Sequence, residues 1–245
     1  MRDGHIRPDW PAPASVQAAV TLRAAGGASQ GEYSDFNLAS HVDDDPVAVN
    51  ANRSRLVEQL GLPEAPCWLE QVHGHEVVHL DDPEHTRCGD AAVTGSVGRV
   101  ATVLTADCLP VLVADRAGTR VGVAHCGWRG LASGVIGATV AAMGVPAGEL
   151  MAWLGPGISQ GAYEVDATVR DVFLELDPDH EGCFLENARR RWQANLYALA
   201  RRLLAASGVE AVFGGGFCTY YDHRRFFSYR RQGPCGRMAT LIWLR

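Results

Sequence analysis

Residues 100–126 read VATVLTADCLPVLVADRAGTRVGVAHC. Three short apolar runs lie in this stretch: Val100–Thr105, Leu109–Asp115 and Val121–His125. Each is closed by turn residues, as buried strands are. Upstream, Cys67 to Leu80 reads as a strand, a turn at His73-Gly74-His75 and a second strand. Downstream, strand-like runs return at Val212–Phe213, Phe226–Tyr229 and Met238–Leu244. Helical spacing fills the gaps. One helix starts near Gly130, with Leu131, Val135 and Ala142 inside and Gly144 as its stop. Others cover Asp166–Leu176 and Arg190–Ala206. The latter has Trp192, Leu196, Leu199 and Leu203 on one face and Gly208 beyond its end. Strands and helices mix without a regular βαβ rhythm. That argues for an α/β (α+β) sandwich of mixed sheets flanked by helices, and against a Rossmann fold or a (β/α)8 barrel.

The segment DDDPVAVNANRSRLVEQLG, residues 43–61, carries a local anomaly. Asp45 can cap a helix here, Pro46 suits its first position and Gly61 its end. Val49, Leu56 and Leu60 make a buried stripe. Arg53 falls on that stripe, and a charge among core positions is costly unless it is paired or faces a ligand.

Composition narrows the chemistry. A chain of 245 residues suits one large domain or two small ones. With 47% apolar and 20% charged residues it can bury a core and is not disordered. All 22 basic residues are arginine. Codon preference is the simplest cause, but the consequence is chemical. Without lysine there is no Schiff base, so pyridoxal-phosphate catalysis and lysine aldol chemistry are excluded. A GKS or GKT phosphate loop is excluded too. Any anion must be held by arginine, backbone N–H groups or a metal.

The seven cysteines are scattered, and no CxxC pair signals a zinc ribbon or a thioredoxin motif. The start, MRDGHIRPDWPAP, has no apolar secretory core, and no run of about 18 apolar residues offers a membrane span. A cytoplasmic, reducing setting with free thiols is expected. Residues 1–185 hold 11 Arg against 25 acids, whereas residues 186–245 hold 11 Arg against 3. The tail arginines interleave with apolar residues. They read as a segment folded against an acidic body, some of them serving an anionic ligand, with no nucleic-acid partner.

His73, Cys108 and His125 each sit where a strand ends or turns. Two imidazoles and a thiolate are good ligands for Zn²⁺ and leave a fourth position for water, the pattern of catalytic zinc. The same residues also fit surface imidazoles around a buried thiol, or a Cys108–His125 nucleophile pair. Copper uses a similar ligand set, but one HxH, His73-Gly74-His75, cannot build a four-copper laccase. The zinc-deaminase signature HxE…PCxxC is missing. Gly127, Arg129 and Gly130 open a helix after the His125 strand, where an anion can be held. A tight turn explains those glycines equally well.

Taken in order, the stretches SQGEYSDFNLASHVDDD, NRSRL, WLEQVHG, GDAAVT, TADCLPVLVAD, VAHCGWRG, WLGPGI, YEV, CTY, FFSYRR and GRMATLIW resemble one family. It is that of the bacterial YfiH-like, or laccase-domain, proteins, also called the peptidoglycan editing factor or purine nucleoside phosphorylase family. The resemblance implies a single domain over residues 1–245 with a layered αββα-type sandwich, as a monomer or homodimer. It implies a metal on His73, Cys108 and His125, zinc with copper as the alternative. It also implies phosphorolysis of purine nucleosides (adenosine, inosine, guanosine and methylthioadenosine) by phosphate, with adenosine deamination at the same site. Arg53, Cys108 and His125 are then catalytic, and Asn37, Arg129 and Glu164 bind substrate.

Some positions depart from the family pattern. Cys126 stands where the family has alanine. The stretch RAAGGAS is one residue longer than usual, which leaves the place of Arg23 open. DFNLA keeps Asn37 but loses the flanking Ser and Gly, and Asp166 in YEVD reads as a helix cap.

Phosphorolysis requires phosphate beside C1′ of the ribose, a purine made into a better leaving group and stabilisation of ribosyl cation character. Arg53 and Arg129 are the candidates for phosphate, since a guanidinium meets its oxygens bidentately. Glu164 or Asp90 is a candidate for protons or ribose hydroxyls, and Tyr163, Phe227 or Tyr229 for stacking on the purine. Three rival readings stay open: a copper polyphenol oxidase, a Cys108–His125 hydrolase of cell-wall precursors, and a metal-dependent interaction module.

Overall fold

In the structure, a computed structural model describing residues 4–245, two mixed sheets lie face to face. The first has the order β1 (His5–Ile6), β2 (Val16–Thr21), β14 (Met238–Leu244), β6 (Val100–Thr105), β3 (Cys67–Trp68). The second runs β13 (Ala211–Gly214), β9 (Leu150–Leu154), β7 (Leu109–Asp115), β8 (Val121–Cys126), β5 (Ala91–Thr94), β4 (Val77–His79). A small third sheet joins β10 (Glu164–Val165), β12 (Trp192–Ala194) and β11 (Phe184–Glu186). The pairs β3–β6, β4–β5 and β9–β13 are parallel and the rest antiparallel.

Alternation along the strands builds the layers. On β6, Ala101 and Val103 face the second sheet and meet Leu112, Val123 and Trp153. Val100 and Leu104 face the other way, onto Phe36, Leu38 and Leu56, the last from helix α1 (Pro46–Leu60). On β7, Leu112 and Ala114 enter the core between the sheets. Leu109, Val111 and Val113 pack against α2 (Trp128–Ser133), α3 (Val135–Ala142), α4 (Ala167–Leu176) and α5 (Leu196–Ala206). The order is helix, sheet, sheet, helices, the expected αββα arrangement. Burial on both faces explains why these strands read as unbroken apolar runs.

Helix α1 ends where its sequence says. The Asp45 side chain accepts from Val47 N at 2.9 Å, and Gly61 closes the helix at φ 58°. A cap of this kind contributes about 1 kcal/mol. The buried face includes Asn52, which the apolar spacing does not reveal. Its amide oxygen accepts from Ala28 N (2.7 Å), and its nitrogen donates to Ser29 Oγ and Asn37 O (both 2.9 Å).

Three expectations need correction. The helix expected near Gly130 begins at Trp128 and breaks at Gly134, whose φ of 93° is left-handed and separates α2 from α3. Residues 190–195 are not helical. Trp192–Ala194 pairs with both β10 and β11, and Asn195 caps α5 by accepting from Ala198 N. Phe226–Tyr229 is no strand. Phe226 and Phe227 anchor a small core with Cys235 and Met238, and Ser228 caps the short helix α6 (Tyr229–Gln232). The strand, turn and strand expected within 67–80 are present, and the two strands join different sheets, so the segment between them crosses the sandwich carrying His73. Among the described residues no helix is long and apolar enough to cross a membrane.

The β7–β8 turn is closed by Asp115, which accepts from Thr119 N (2.7 Å), Thr119 Oγ1 (2.7 Å) and Arg120 N (2.9 Å). Burial alone would raise this carboxyl, but these bonds hold it below its ordinary value. Its contribution to stability is complete above an unfolded pKa of about 3.9 and is lost as pH falls through the lower folded value. Thermal melts of wild type and Asp115→Asn should therefore show a Tm gap that narrows as pH drops below about 4. A gap constant across that window would rule out the linkage.

Candidate metal centre

His73, Cys108 and His125 arrive from the crossing segment, the residue before β7 and the end of β8. Their ligand atoms lie within 4.8 Å of one another. Strand alternation explains the aim of His125. It follows Val121 and Val123 into the space between the sheets, whereas Cys126 turns into the helix-side core. There Cys126 is fully buried, and burial pushes its thiol pKa up. The extra cysteine is packing, not a fourth ligand. A Cβ at position 127 would lie 2.9 Å from Cys108 Sγ and 3.5 Å from His73 Cδ2, so this close approach requires the glycine.

One carboxylate organises the centre. Asp90, at the start of β5, is 0% exposed. Its Oδ1 accepts from His125 Nδ1 at 2.8 Å, which leaves His125 Nε2 for a metal. The same group accepts from the N–H of Val72 (3.1 Å), His73 (3.0 Å) and Gly74 (2.7 Å). It thereby pins the turn in which His73 holds a φ of 61°. With both oxygens committed and no exposure, Asp90 orients ligands and does not meet a ribose hydroxyl.

Burial opposes a thiolate at Cys108, yet the His125 charge and hydrogen bonds from His125 and His73 bring its pKa to about 6. Burial likewise opposes a charged His125, but Cys108 and Asp90 raise it to about 9. A ready thiolate, a second imidazole and a histidine steered by a carboxylate form a donor set that fits a Zn²⁺-like ion.

A cavity of about 390 Å³ opens over these ligands. His73, Cys108 and His125 line it, as do Tyr163 and Tyr229. Arg53, Asn37, Arg129 and Glu164 do not. The Arg53 guanidinium lies 4.2 Å from the Trp68 ring and donates to Leu38 O (2.9 Å) and Ser40 Oγ (3.4 Å). These contacts are what accommodate a charge on the buried stripe. Arg129 is exposed and lies over its neighbour Trp128 at 4.7 Å. Asn37 is buried with its amide fully bonded to protein. The Glu164 carboxylate is taken by Asn187 and Arg189. Phe227 is wholly buried, with Arg23 stacked on it at 5.0 Å.

The arginines that do line the cavity are Arg230 and Arg237, together with His41, Gln71 and Asp107. Nothing in local spacing separates them from other residues. The signal was the arginine-rich tail itself, which carries both arginines within FFSYRR and GRMATLIW.

The model of the family described as multi-copper polyphenol oxidoreductase laccase matches residues 17–245. The chain belongs to the YfiH-type laccase-domain family. This laccase-domain chain is 51% identical over 240 residues to a purine nucleoside phosphorylase of Pseudomonas aeruginosa, covering 98% of each. It is 45% identical, again over 98% of each, to Escherichia coli YfiH, which is also named a purine nucleoside phosphorylase. Among solved structures, a Neisseria meningitidis protein matches with a TM-score of 0.93 at 47% identity, over 98% of this chain and 99% of the other. YlmD of Geobacillus stearothermophilus matches with a TM-score of 0.92 at 29% identity, over 100% and 97%. The layered sandwich is thus shared with both of these proteins.

Proposed function

We propose that this laccase-domain protein is a cytoplasmic, zinc-dependent purine nucleoside phosphorylase acting on adenosine, inosine, guanosine and methylthioadenosine, and that it also deaminates adenosine. One observation carries the reading. A three-ligand metal group and two arginines share one cavity, in a chain 51% identical to a purine nucleoside phosphorylase. The family description speaks of several coppers. Among the described residues one group of three ligands is found, which suits a single ion.

His73, Cys108 and His125 would hold zinc, whose chemistry when bound is that of a Lewis acid. The chain's own residues do the rest. In phosphorolysis a phosphate oxygen bonds to C1′ as the bond from C1′ to the purine nitrogen breaks. The electron pair stays on the purine, which takes up a proton. With no lysine in the chain, arginine holds the phosphate. Tyr163 and Tyr229 offer ring faces to the purine. Arg53 is not among the residues that line the cavity, and it adds positive charge near His41. Glu164 acts through its carbonyl, which accepts from Arg230 Nη1 at 2.7 Å. In deamination, water replaces the C6 amino group of adenosine and ammonia leaves.

Product analysis on adenosine with and without phosphate tests this directly. Adenine and ribose 1-phosphate mark phosphorolysis, and inosine marks deamination. Both are expected from zinc-loaded protein, neither after dialysis against a chelator, and both again when Zn²⁺ is restored. Full activity in metal-free protein would remove the metal from the reaction. Oxygen uptake with phenols and no nucleoside turnover would favour a polyphenol oxidase instead.

A further inference from the structure

We propose that inorganic phosphate is bound by Arg237, His41 and the hydroxyl of Thr105, with Asn37 as the residue that holds this subsite together. The inference rests on the phosphorylase reading and assigns its second substrate.

All three proposed contacts line the cavity over the metal ligands. Arg237 is half-buried, and its Nη1 donates to Cys235 O (2.6 Å) and Gly236 O (3.2 Å). Among the described residues no carboxylate lies within salt-bridge distance of it, and its Nε and Nη2 make no hydrogen bond. A partly buried guanidinium left this way is costly unless its counter-charge comes with a ligand. The other arginines nearby are already engaged. Arg230 is exposed, lies over Tyr163 at 5.1 Å and donates to Glu164 O. Arg231 is spent on the carbonyls of Thr219, Tyr220 and Phe226.

The second observation is independent of charge. Thr105 pairs with Met238 across β6 and β14, so its neighbour in the sheet is the residue that follows Arg237. Thr105 is 2% exposed, and its buried hydroxyl has no partner among the described residues. An orphan buried hydroxyl and an uncompensated guanidinium lining one cavity make a place for an acceptor-rich anion. His41 likewise makes no hydrogen bond among the described residues. It lines the same cavity as Arg237 and Thr105, where a ring N–H can donate to a phosphate oxygen. Purine nucleosides are neutral, and this surround suits a dianion better than a ribose.

Asn37 ties the parts together. Its Oδ1 accepts from Arg237 N (2.9 Å) and Ala39 N (3.0 Å), and its Nδ2 donates to Ala39 O (3.1 Å) and Asp44 (2.8 Å). The loop bearing His41 is thereby fastened to the start of β14. Gly236 permits the approach, since a Cβ there would come within 2.6 Å of the Phe227 ring and 2.9 Å of Asn37 Cβ. Asn37 is a positioning residue and touches no substrate.

The test measures the phosphate KM at saturating inosine and, separately, calorimetric binding of inorganic phosphate. Arg237→Gln should raise the phosphate KM about 10- to 100-fold, with zinc content and inosine affinity within about twofold of wild type, and Arg237→Lys should recover part of the loss. Thr105→Val removes only the hydroxyl, so it should raise the phosphate KM about fivefold without lowering the Tm. Asn37→Ala should raise the phosphate KM more than it lowers kcat.

Unchanged phosphate KM and phosphate binding in Arg237→Gln would overturn the subsite. If that variant does not fold, unchanged phosphate affinity in Thr105→Val overturns it. Wild type that binds phosphate through these residues yet yields no ribose 1-phosphate sinks the phosphorylase reading and leaves the subsite standing. Wild type with neither phosphate binding nor phosphate-dependent turnover overturns both.

Discussion

Cys108→Ser protein is expected to fold, to retain far less than one equivalent of zinc and to lose phosphorolysis by more than about 100-fold, since loss of an outer partner alone costs 10- to 100-fold. The fold should survive because Cys108 precedes β7 and faces the cavity, while Leu109 beside it fills the helix-side core. Serine keeps the size but is a poor anionic ligand at neutral pH. The site has the opposite bias, with His125 and His73 drawing the thiol pKa to about 6 against burial. Metal analysis, a thermal melt and product analysis decide the matter. A full equivalent of zinc with full activity would show that the triad is not the metal centre. Zinc retained with activity lost would point to the thiol as a nucleophile, the chemistry of the hydrolase reading.

The second large effect is expected at Asp90. Asp90→Ala strips one buried carboxylate from His125 and from three backbone N–H groups. Removing one member of a buried charged network costs about 3–5 kcal/mol, which lowers the Tm by roughly 10 °C in a chain of this size. Asp90→Asn keeps the volume but cannot accept at both ends. It should weaken zinc affinity about 10- to 100-fold with a smaller loss of Tm. Competition with a metallochromic chelator measures the first effect and a melt the second. Unaltered zinc affinity in Asp90→Asn would end the orienting role.

Much of this was legible where the governing physics is local. The α1 boundaries follow from Asp45, Pro46 and Gly61, which cap and stop a helix with no help from the rest of the fold. The strands at 100–126 follow from alternation and composition, and their ends carry Cys108 and His125. The stretches around His73, Cys108 and His125 also carry the family resemblance, so the triad could be assembled before its geometry was known. What was illegible depends on distant partners. Trp192 sits at helical spacing from Leu196 and Leu199, yet β10 and β11 claim it as a strand. Arg53 looked like a ligand-facing charge because Trp68 and the Leu38 carbonyl, which accommodate it, lie elsewhere in the chain. Arg237 carried no local mark at all. It reaches the cavity because Asn37, 200 positions earlier, holds its backbone.

Strand β14 lies between β2 and β6. The segments 16–21 and 100–105 therefore share no ladder of their own, and although each has an earlier partner in β1 or β3, they must wait for residues 238–244 to be joined to one another. At a synthesis rate of roughly 5–20 residues per second that delay is on the order of ten seconds. The second sheet has no such wait for its strands between residues 77 and 154, which pair among themselves. The order of manufacture thus separates the two halves of the cavity. His73, Asp90, Cys108 and His125 belong to the half that a nascent chain completes first. The half carrying Arg237 closes only when the late strand threads between two that have been waiting for it.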